Sequence, residues 1–437
     1  MPESEPHPQA STIAWRSRDF RLYSAARFLG TAGVEAQAVG VAWQVYEITH
    51  SALALGGTGL ALFLPGLLFT LPAGHIADRH DRRNVILACY ALQFVATTVL
   101  LAMAVRHVTH VWAIYAILGV IGTGRCFVGP AGQALVPTLV PREHFVNAVT
   151  WGASVFQIAG SVGPMIGGFL FTIGLAHTRF AAFNGAPLVY LFTLAAFAVF
   201  IALVAQIAPR PIADKKGISL DNMLAGLRYV MRTRLLLGSI SLDLFAVLLG
   251  GAVSLLPIFA SDILHRGPHA LGLLRAAPSV GALVMSLLLV FTPIKRRAGK
   301  TMLACVGIFG AATVLFGISR SLWLSIFALF VTGAADMISV VTRTSILQLA
   351  TPDAMRGRVS SINWLFLGAS NELGEYESGL TAHWLGAVRA VIIGGIASMT
   401  VTGLWSVFFP ALRDADKLTA ESLVEVEEQY ASQEPTR

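Results

Sequence analysis

The chain has 437 residues, of which 55% are hydrophobic and 13% charged, and its mean hydropathy is +0.69. A soluble domain carries roughly 25% charge, so this balance excludes an ordinary soluble enzyme or binding module. The net charge of +7 would suit a nucleic-acid partner only if the basic residues gathered on one surface, and their distribution along the chain is alternating instead.

Apolar windows near 20 residues recur along almost the whole length, as helices crossing a bilayer require. They cover residues 22–46, 52–73, 85–105, 111–130, 147–172, 186–208, 235–261, 270–292, 301–319, 321–342, 359–382 and 387–410. Strands of a membrane barrel would alternate polar and apolar residues, and these windows do not. The pattern predicts an all-α integral membrane protein with twelve transmembrane helices. Four segments are expected: a tail and six-helix bundle over 1–208, a linker with an interfacial helix over 209–234, a second six-helix bundle over 235–410, and an acidic tail over 411–437. Residues 1–14 lack the basic start and apolar core of a cleaved signal peptide, so the first helix is expected to stay in the protein.

With the N-terminus inside, 23 of the 31 Lys and Arg fall in tails and loops on the cytoplasmic side and six at the outer side, Arg275 and Arg389 among them near the outer ends of their windows, while Arg27 and Arg125 lie deeper within helices. That is the positive-inside asymmetry, and it places both termini in the cytoplasm without any role for nucleic acid. Cys89, Cys126 and Cys305 are isolated in predicted helices, which reads as structural thiols. No cofactor or metal is expected.

The two halves look like copies. Trp112 and Trp323, Gly122 and Gly333, Arg125 and Asp336, and Pro141 and Pro352 all share one offset of 211 residues, which pairs the fourth predicted helix with the tenth. Between the halves, Leu220, Leu224, Leu227, Val230 and Met231 recur at helical spacing with Arg228, Arg232 and Arg234 on the polar side. Such a helix suits the anionic headgroups of the cytoplasmic leaflet. Glu421, Glu425, Glu427, Glu428 and Glu434 predict a mobile acidic tail.

Residues 74–83 read Gly-His-Ile-Ala-Asp-Arg-His-Asp-Arg-Arg. This charged stretch between two apolar windows resembles the signature loop between the second and third helices of the major facilitator superfamily. The resemblance implies two parallel six-helix repeats around a central cavity and a gating role for Gly74, Asp78, Arg79, Arg82 and Arg83. Gly74 permits close approach of two helices, and Asp78 is expected to cap a neighbouring helix and pair with arginine. The superfamily usually has glycine where Asp81 stands, so the turn is expected to be made by a less tolerant residue.

Ionisable groups inside membrane helices are costly and mark candidate function. Glu35 lies about 20 Å along the first helix from Arg21, on a helix that also carries Gln37 and Gln44. Arg125 resembles the buried fourth-helix arginine that the superfamily associates with proton transfer or substrate binding. Asp336 holds the equivalent place in the tenth helix, with Arg343 seven residues on, and Asp243 lies in the seventh. The eleventh helix carries Glu372, Glu375 and Glu377; the first two share one face and are expected to be the leading pair in proton coupling, with Arg125 setting the electrostatics of the cavity. Each of these has a structural alternative, as an ion pair or a headgroup contact. In the fifth helix Gly160, Gly163, Pro164, Gly167 and Gly168 form a small-residue face with a bend, suited to close packing. The Gly163-Pro164-x-x-Gly167-Gly168 core resembles the antiporter motif of exporters, though Ala159 stands where that motif has glycine.

No phosphate-binding loop, nucleophile elbow or zinc-protease motif is present, so an enzyme is not expected and energy must come from a gradient. With Trp43-Gln44-Val45-Tyr46 closing the first helix and Pro352 to Arg358 preceding the eleventh, the whole chain resembles the enterobactin-exporter, or transmembrane secretion effector, branch of the superfamily. The resemblance implies a bacterial inner-membrane antiporter that exchanges protons for small organic cargo such as siderophores or amphiphilic drugs and works as a monomer in contact with membrane lipids. A proton-coupled nutrient importer shares every feature except the glycine motif, and a non-transporting sensor would be expected to lose the buried charges. A periplasm-active reporter should be silent when fused after Arg413 and active when inserted between His177 and Asn184; the reverse pattern would overturn the topology.

Overall fold

The computed structural model describes residues 13–141, 144–176, 185–208, 220–294 and 296–431; within them, the side chains at 13, 70–79, 134, 146, 175–176, 220–224, 353–354, 361, 364 and 431 are not described. Helices account for the regular structure of the described residues. They are α1 (Arg18–Thr49), α2 (Ala52–Arg79), α3 (Arg82–Val105), α4 (Val111–Leu139), α5 (Phe145–Ala176), α6 (Ala186–Ala205), α7 (Leu220–Arg232), α8 (Arg234–Gly250), α9 (Gly267–Phe291), α10 (Ala298–Ile318), α11 (Leu322–Leu349), α12 (Asp353–Leu385), α13 (Ala387–Phe408) and α14 (Ala420–Ala431).

Ten segments among the described residues are long and apolar enough to cross a membrane. The other two predicted crossings correspond to α1 and α12. Their length suffices, but they carry the in-helix charges at Arg27, Glu35, Glu372, Glu375 and Glu377. Helices α4 and α11 begin at Val111 and Leu322, again 211 residues apart. Their first-turn tryptophans, Trp112 and Trp323, are 81% and 76% exposed, as expected of rings that sit at a membrane interface.

The chain forms two compact units. The first comprises residues 1–44 and 64–218; Phe20, Tyr23, Ile86, Tyr90, Phe197 and Phe200 lie in its core, where Tyr90 stacks on Phe200 with ring centroids 3.5 Å apart. The second comprises residues 45–63 and 219–437 and centres on Leu235, Leu236, Met302, Ile346, Val359 and Leu412. Helices α9 and α11 meet inside it at two glycines. A Cβ on Gly333 would collide with the backbone of Pro278, and one on Gly281 with that of Phe330, so the crossing requires residues without side chains.

Several expectations are corrected by this architecture. The stretch 74–83 is helical except for a two-residue turn. Gly74, Asp78 and Arg79 belong to the last turns of α2, Arg82 and Arg83 open α3, and His80 and Asp81 alone separate the helices. The side chains of Gly74, Asp78 and Arg79 lie outside those described. Helix α3 is capped by Asp81, whose carboxylate accepts from the Arg83 N–H at 3.0 Å. Asp81 has φ −58°, so this turn needs no left-handed residue. Arg83 in turn donates to the carbonyls of Val204 and Ala205 at 3.2 and 2.5 Å, neutralising the end of α6.

The seventh crossing is also not one continuous helix. It breaks at Gly250 and Gly251, then continues through a 3-10 turn and a π turn ending at Ile263. Pro257 contributes no N–H to the ladder, and Ser378 donates a hydrogen bond to the Gly251 carbonyl at the break. Helix α11 extends past its predicted end and carries Arg343 into the protein. In α7, Val230 is 1% exposed and packs in the second core beside Leu227 and Tyr229, while Met231 is 59% exposed. Arg228 and Arg232 remain outward.

The acidic tail is docked over the described part of its length; Glu434 lies outside the described residues. Leu423 enters the second core, and the two Glu427 carboxylate oxygens accept from the N–H groups of Arg234 at 2.8 Å and Leu235 at 2.9 Å. The N-cap residue Thr233 makes no side-chain cap, so Glu427 supplies the missing acceptor and its charge opposes the helix dipole. Nearby, Asp414 accepts from Arg413 at 2.9 Å and from Tyr430 at 2.6 Å. Those bonds, Arg413 first, hold its carboxyl below the usual carboxylate range. The contribution is complete above the ordinary carboxylate pKa and is lost as pH falls through the depressed value.

Glu427→Gln should therefore loosen α14 and the first turn of α8 by about 1–2 kcal/mol. Amide hydrogen exchange should speed there roughly five- to thirtyfold and stay unchanged in α3 and α4.

Candidate functional site

In the first unit, polar groups gather along α1, α3, α4 and α6. Gln37 donates to Thr97 at 2.9 Å and Tyr190 to Gln44 at 2.6 Å, both buried. Thr193 bonds the Gly33 carbonyl at 3.1 Å. These contacts satisfy the glutamines of α1 internally, which is the condition for polar side chains at membrane depth.

Below them lie two guanidiniums. Arg27 stands 5.5 Å from the centre of the Phe156 ring, and both Arg27 and Arg125 act electrostatically on the Tyr90 hydroxyl; Arg27 does so on Tyr23 as well. The buried Nε of Arg125 has no hydrogen-bond partner. A desolvated guanidinium with a donor to spare is a ready anion receptor. Arg27, Tyr23 and Tyr90 were not among the sequence candidates. The signal available was Arg27, an arginine two turns before Glu35 inside an apolar helix.

Glu35 lies half-buried on α1 beside the glycine face of α5. A Cβ on Gly163 would come within 2.7 Å of the Ala32 carbonyl and the Glu35 Cβ, and one on Gly167 within 2.7 Å of the Ala36 carbonyl. Pro164 and Gly168 are buried beside them, and Gly160 is half-buried one turn earlier.

In the second unit the charges are arranged differently. Asp243 on α8 forms an ion pair with Arg343 on α11, and they are 3% and 2% exposed. Asp336 lies two turns before Arg343 on α11 and shares a small cavity with Asp243 and Ser339. Sequence order placed Arg343 just outside the membrane; the structure makes it the partner of Asp243.

The acids of α12 lie elsewhere in the same unit. Glu375 packs against Gly59, where a Cβ would meet its Cβ at 2.8 Å and its Oε2 at 2.9 Å, and the Glu372 carbonyl lies 3.1 Å from that point. Glu377 accepts from Thr381 at 2.6 Å. Tyr46 donates to the Asp262 carboxylate, so this bond and the glycine contact tie residues 45–63 into the unit. Cys89 and Cys305 are buried, and all three cysteines are free thiols.

The chain matches the family profile described as transmembrane secretion effector over residues 10–434. It belongs to that family, within the major facilitator superfamily. Enterobactin exporter EntS of Shigella boydii serotype 18 is 28% identical over 392 residues, covering 87% of this chain and 85% of that protein. The same figures hold for EntS of Citrobacter koseri. Among solved structures, a bacterial homologue of the human lysosomal transporter Spinster in an inward-facing, unoccupied conformation superposes with a TM-score of 0.68 at 14% identity, over 97% of this chain and 99% of that one. A bacterial homologue of the iron transporter ferroportin gives 0.66 at 16% identity, over 91% and 99%. The fold is that of the major facilitator transporters. The expected all-α architecture and superfamily membership are therefore shown, and the protein is a multi-pass secondary transporter with exporter relatives.

Removing one partner of a buried ion pair strands the other charge, at a cost of about 3–5 kcal/mol. Arg343→Gln should lower thermal stability in detergent accordingly, while the charge-neutral pair Arg343→Gln with Asp243→Asn should recover most of the loss. Equal destabilisation by the single and double variants would show that the pair itself contributes little.

Proposed function

We propose that this transporter exports small aromatic anions of the siderophore class from the bacterial cytoplasm in exchange for protons, as a monomer in the inner membrane with both termini cytoplasmic. The observation that carries the cargo class is the pair Arg27 and Arg125 beside Tyr23 and Tyr90. Guanidiniums recognise anionic oxygens through planar paired donors. This chemistry favours an anionic catecholate over the cationic amphiphiles that acidic cavities select. Similarity to the enterobactin exporters supports the same direction and class. The antiporter-like glycine face of α5, packed on Ala32 and Ala36, supports export over nutrient import.

Proton exchange is the reading that supplies the energy, since the sequence carries no nucleotide-binding motif. The carboxylates available are Glu35, Asp243, Asp336, Glu372, Glu375 and Glu377. Asp78 and the arginines at 79, 82 and 83 lie at the α2–α3 turn, where the superfamily resemblance assigns gating.

Purified protein in liposomes, given an imposed pH gradient, should accumulate enterobactin against its concentration gradient and should leave ethidium unmoved. Arg125→Gln should reduce enterobactin flux at least tenfold, and Arg125→Lys should restore little, because an ammonium cannot reproduce paired guanidinium bonds. Gradient-driven ethidium transport without enterobactin transport would overturn the cargo class; uptake in the opposite sense would overturn export.

A further inference from the structure

The cavity in the second unit is lined by Asp243 and Val247 from α8, Cys305 and Phe309 from α10, and Asp336 and Ser339 from α11. It has room for about one water molecule. Asp336, Ser339 and Arg343 are spaced three and seven residues apart and so share one face of α11. Asp243 is committed to Arg343 by the ion pair, whereas among the described residues no ion pair engages Asp336. The Ser339 hydroxyl, 2% exposed, has no hydrogen-bond partner, and neither has the Arg343 Nε.

We propose that Asp336, held in this cavity with Asp243, Arg343 and Ser339, is the residue that binds the exchanged proton. The assignment rests on the proposed proton exchange and locates it. The charge count carries the argument. Two carboxylates and one guanidinium leave a net charge of −1 in a region where an uncompensated charge is expensive. One proton on the Asp336 carboxylate, converting it to the acid, brings the group to zero. Asp243 is the carboxylate in the ion pair with Arg343, whose guanidinium keeps its proton. Ser339, a hydroxyl able both to donate and to accept, lines the same cavity and has no other partner among the described residues. The remaining titratable group on the cavity wall is the Cys305 thiol, which is neutral and adds no charge. No other ionisable side chain among the described residues lines the cavity.

The α12 acids offer a weaker receptor: Glu375 is wedged against Gly59 and Glu377 is bonded to Thr381. The repeat gives the position further meaning. Asp336 stands where the first half carries Arg125, so one duplicated site bears a fixed charge and the other a charge that a proton can cancel.

Infrared difference spectroscopy of the purified protein in lipid nanodiscs, titrated from about pH 5 to about pH 9, reads carboxyl protonation without any cargo. The wild type should lose one protonated-carboxyl stretch band as pH rises. Asp336→Asn should abolish that band, and Asp336→Glu should keep it at a shifted frequency; if the Asn variant does not fold, the shift in the Glu variant decides. A band that survives unchanged in both variants, or that disappears in Glu372→Gln or Glu375→Gln, would overturn the assignment. So would a band that answers to sodium at constant pH, which would mark a cation site. A titrating Asp336 in a protein that moves neither enterobactin nor ethidium under a pH gradient would leave the proton site standing and refute the export reading.

Discussion

A single ion pair, Asp243 with Arg343, shows the constraint that organises this molecule. In a chain surrounded by hydrocarbon, an unpaired charge is more costly than almost any packing defect, so every ionisable group inside the bundle must meet a partner, a bound ion or water. Asp243 and Arg343 come from helices far apart in sequence, and both are nearly free of solvent. Their pairing fixes α8 against α11 and leaves Asp336 as the acid beside them whose charge remains to be balanced.

The same constraint explains where the glycines are. The two long helices too polar to qualify as crossings by composition, α1 and α12, are those that carry Arg27 and Glu35 or the three glutamates. Each is met at close range by a glycine face. Gly163 and Gly167 of α5 lie on the backbone of α1, and Gly56 and Gly59 of α2 lie on the backbone of α12. Backbone contact at that distance removes lipid from a polar helix and replaces it with van der Waals packing. The glycine face of α5 thus has a packing role here, whatever further role export gives it.

Duplication supplied the scaffold, and divergence of charge supplied the chemistry. Helices α4 and α11 start at the same offset and expose the same tryptophan in their first turns. At the shared position one carries Arg125 among tyrosines, the other Asp336 beside a second acid. One unit thus holds a basic, aromatic cluster and the other an acidic one, the contrast on which the proposed exchange of anionic cargo for protons rests. The docked tail adds a third use of charge, since Glu427 caps the helix that bears Asp243.

Sequence alone determined the class, because hydropathy and length record the solvent directly: ten of the twelve predicted crossings stand out by composition, and the 211-residue offset marks the repeat. It also picked out Arg125, Asp243 and Asp336 as unusual, since any charge within an apolar window is conspicuous. Tertiary structure decided the rest. Arg343 sits at the margin of its apolar window and looked like a loop residue until α11 proved longer and Asp243 was found opposite. The acidic tail looked solvated because composition cannot show that the bare N-terminus of α8 is waiting for a carboxylate. Asp81 caps α3 because the turn between the helices is only two residues long. Partners, caps and helix ends are contacts between residues distant in the chain, and local pattern carries no record of them.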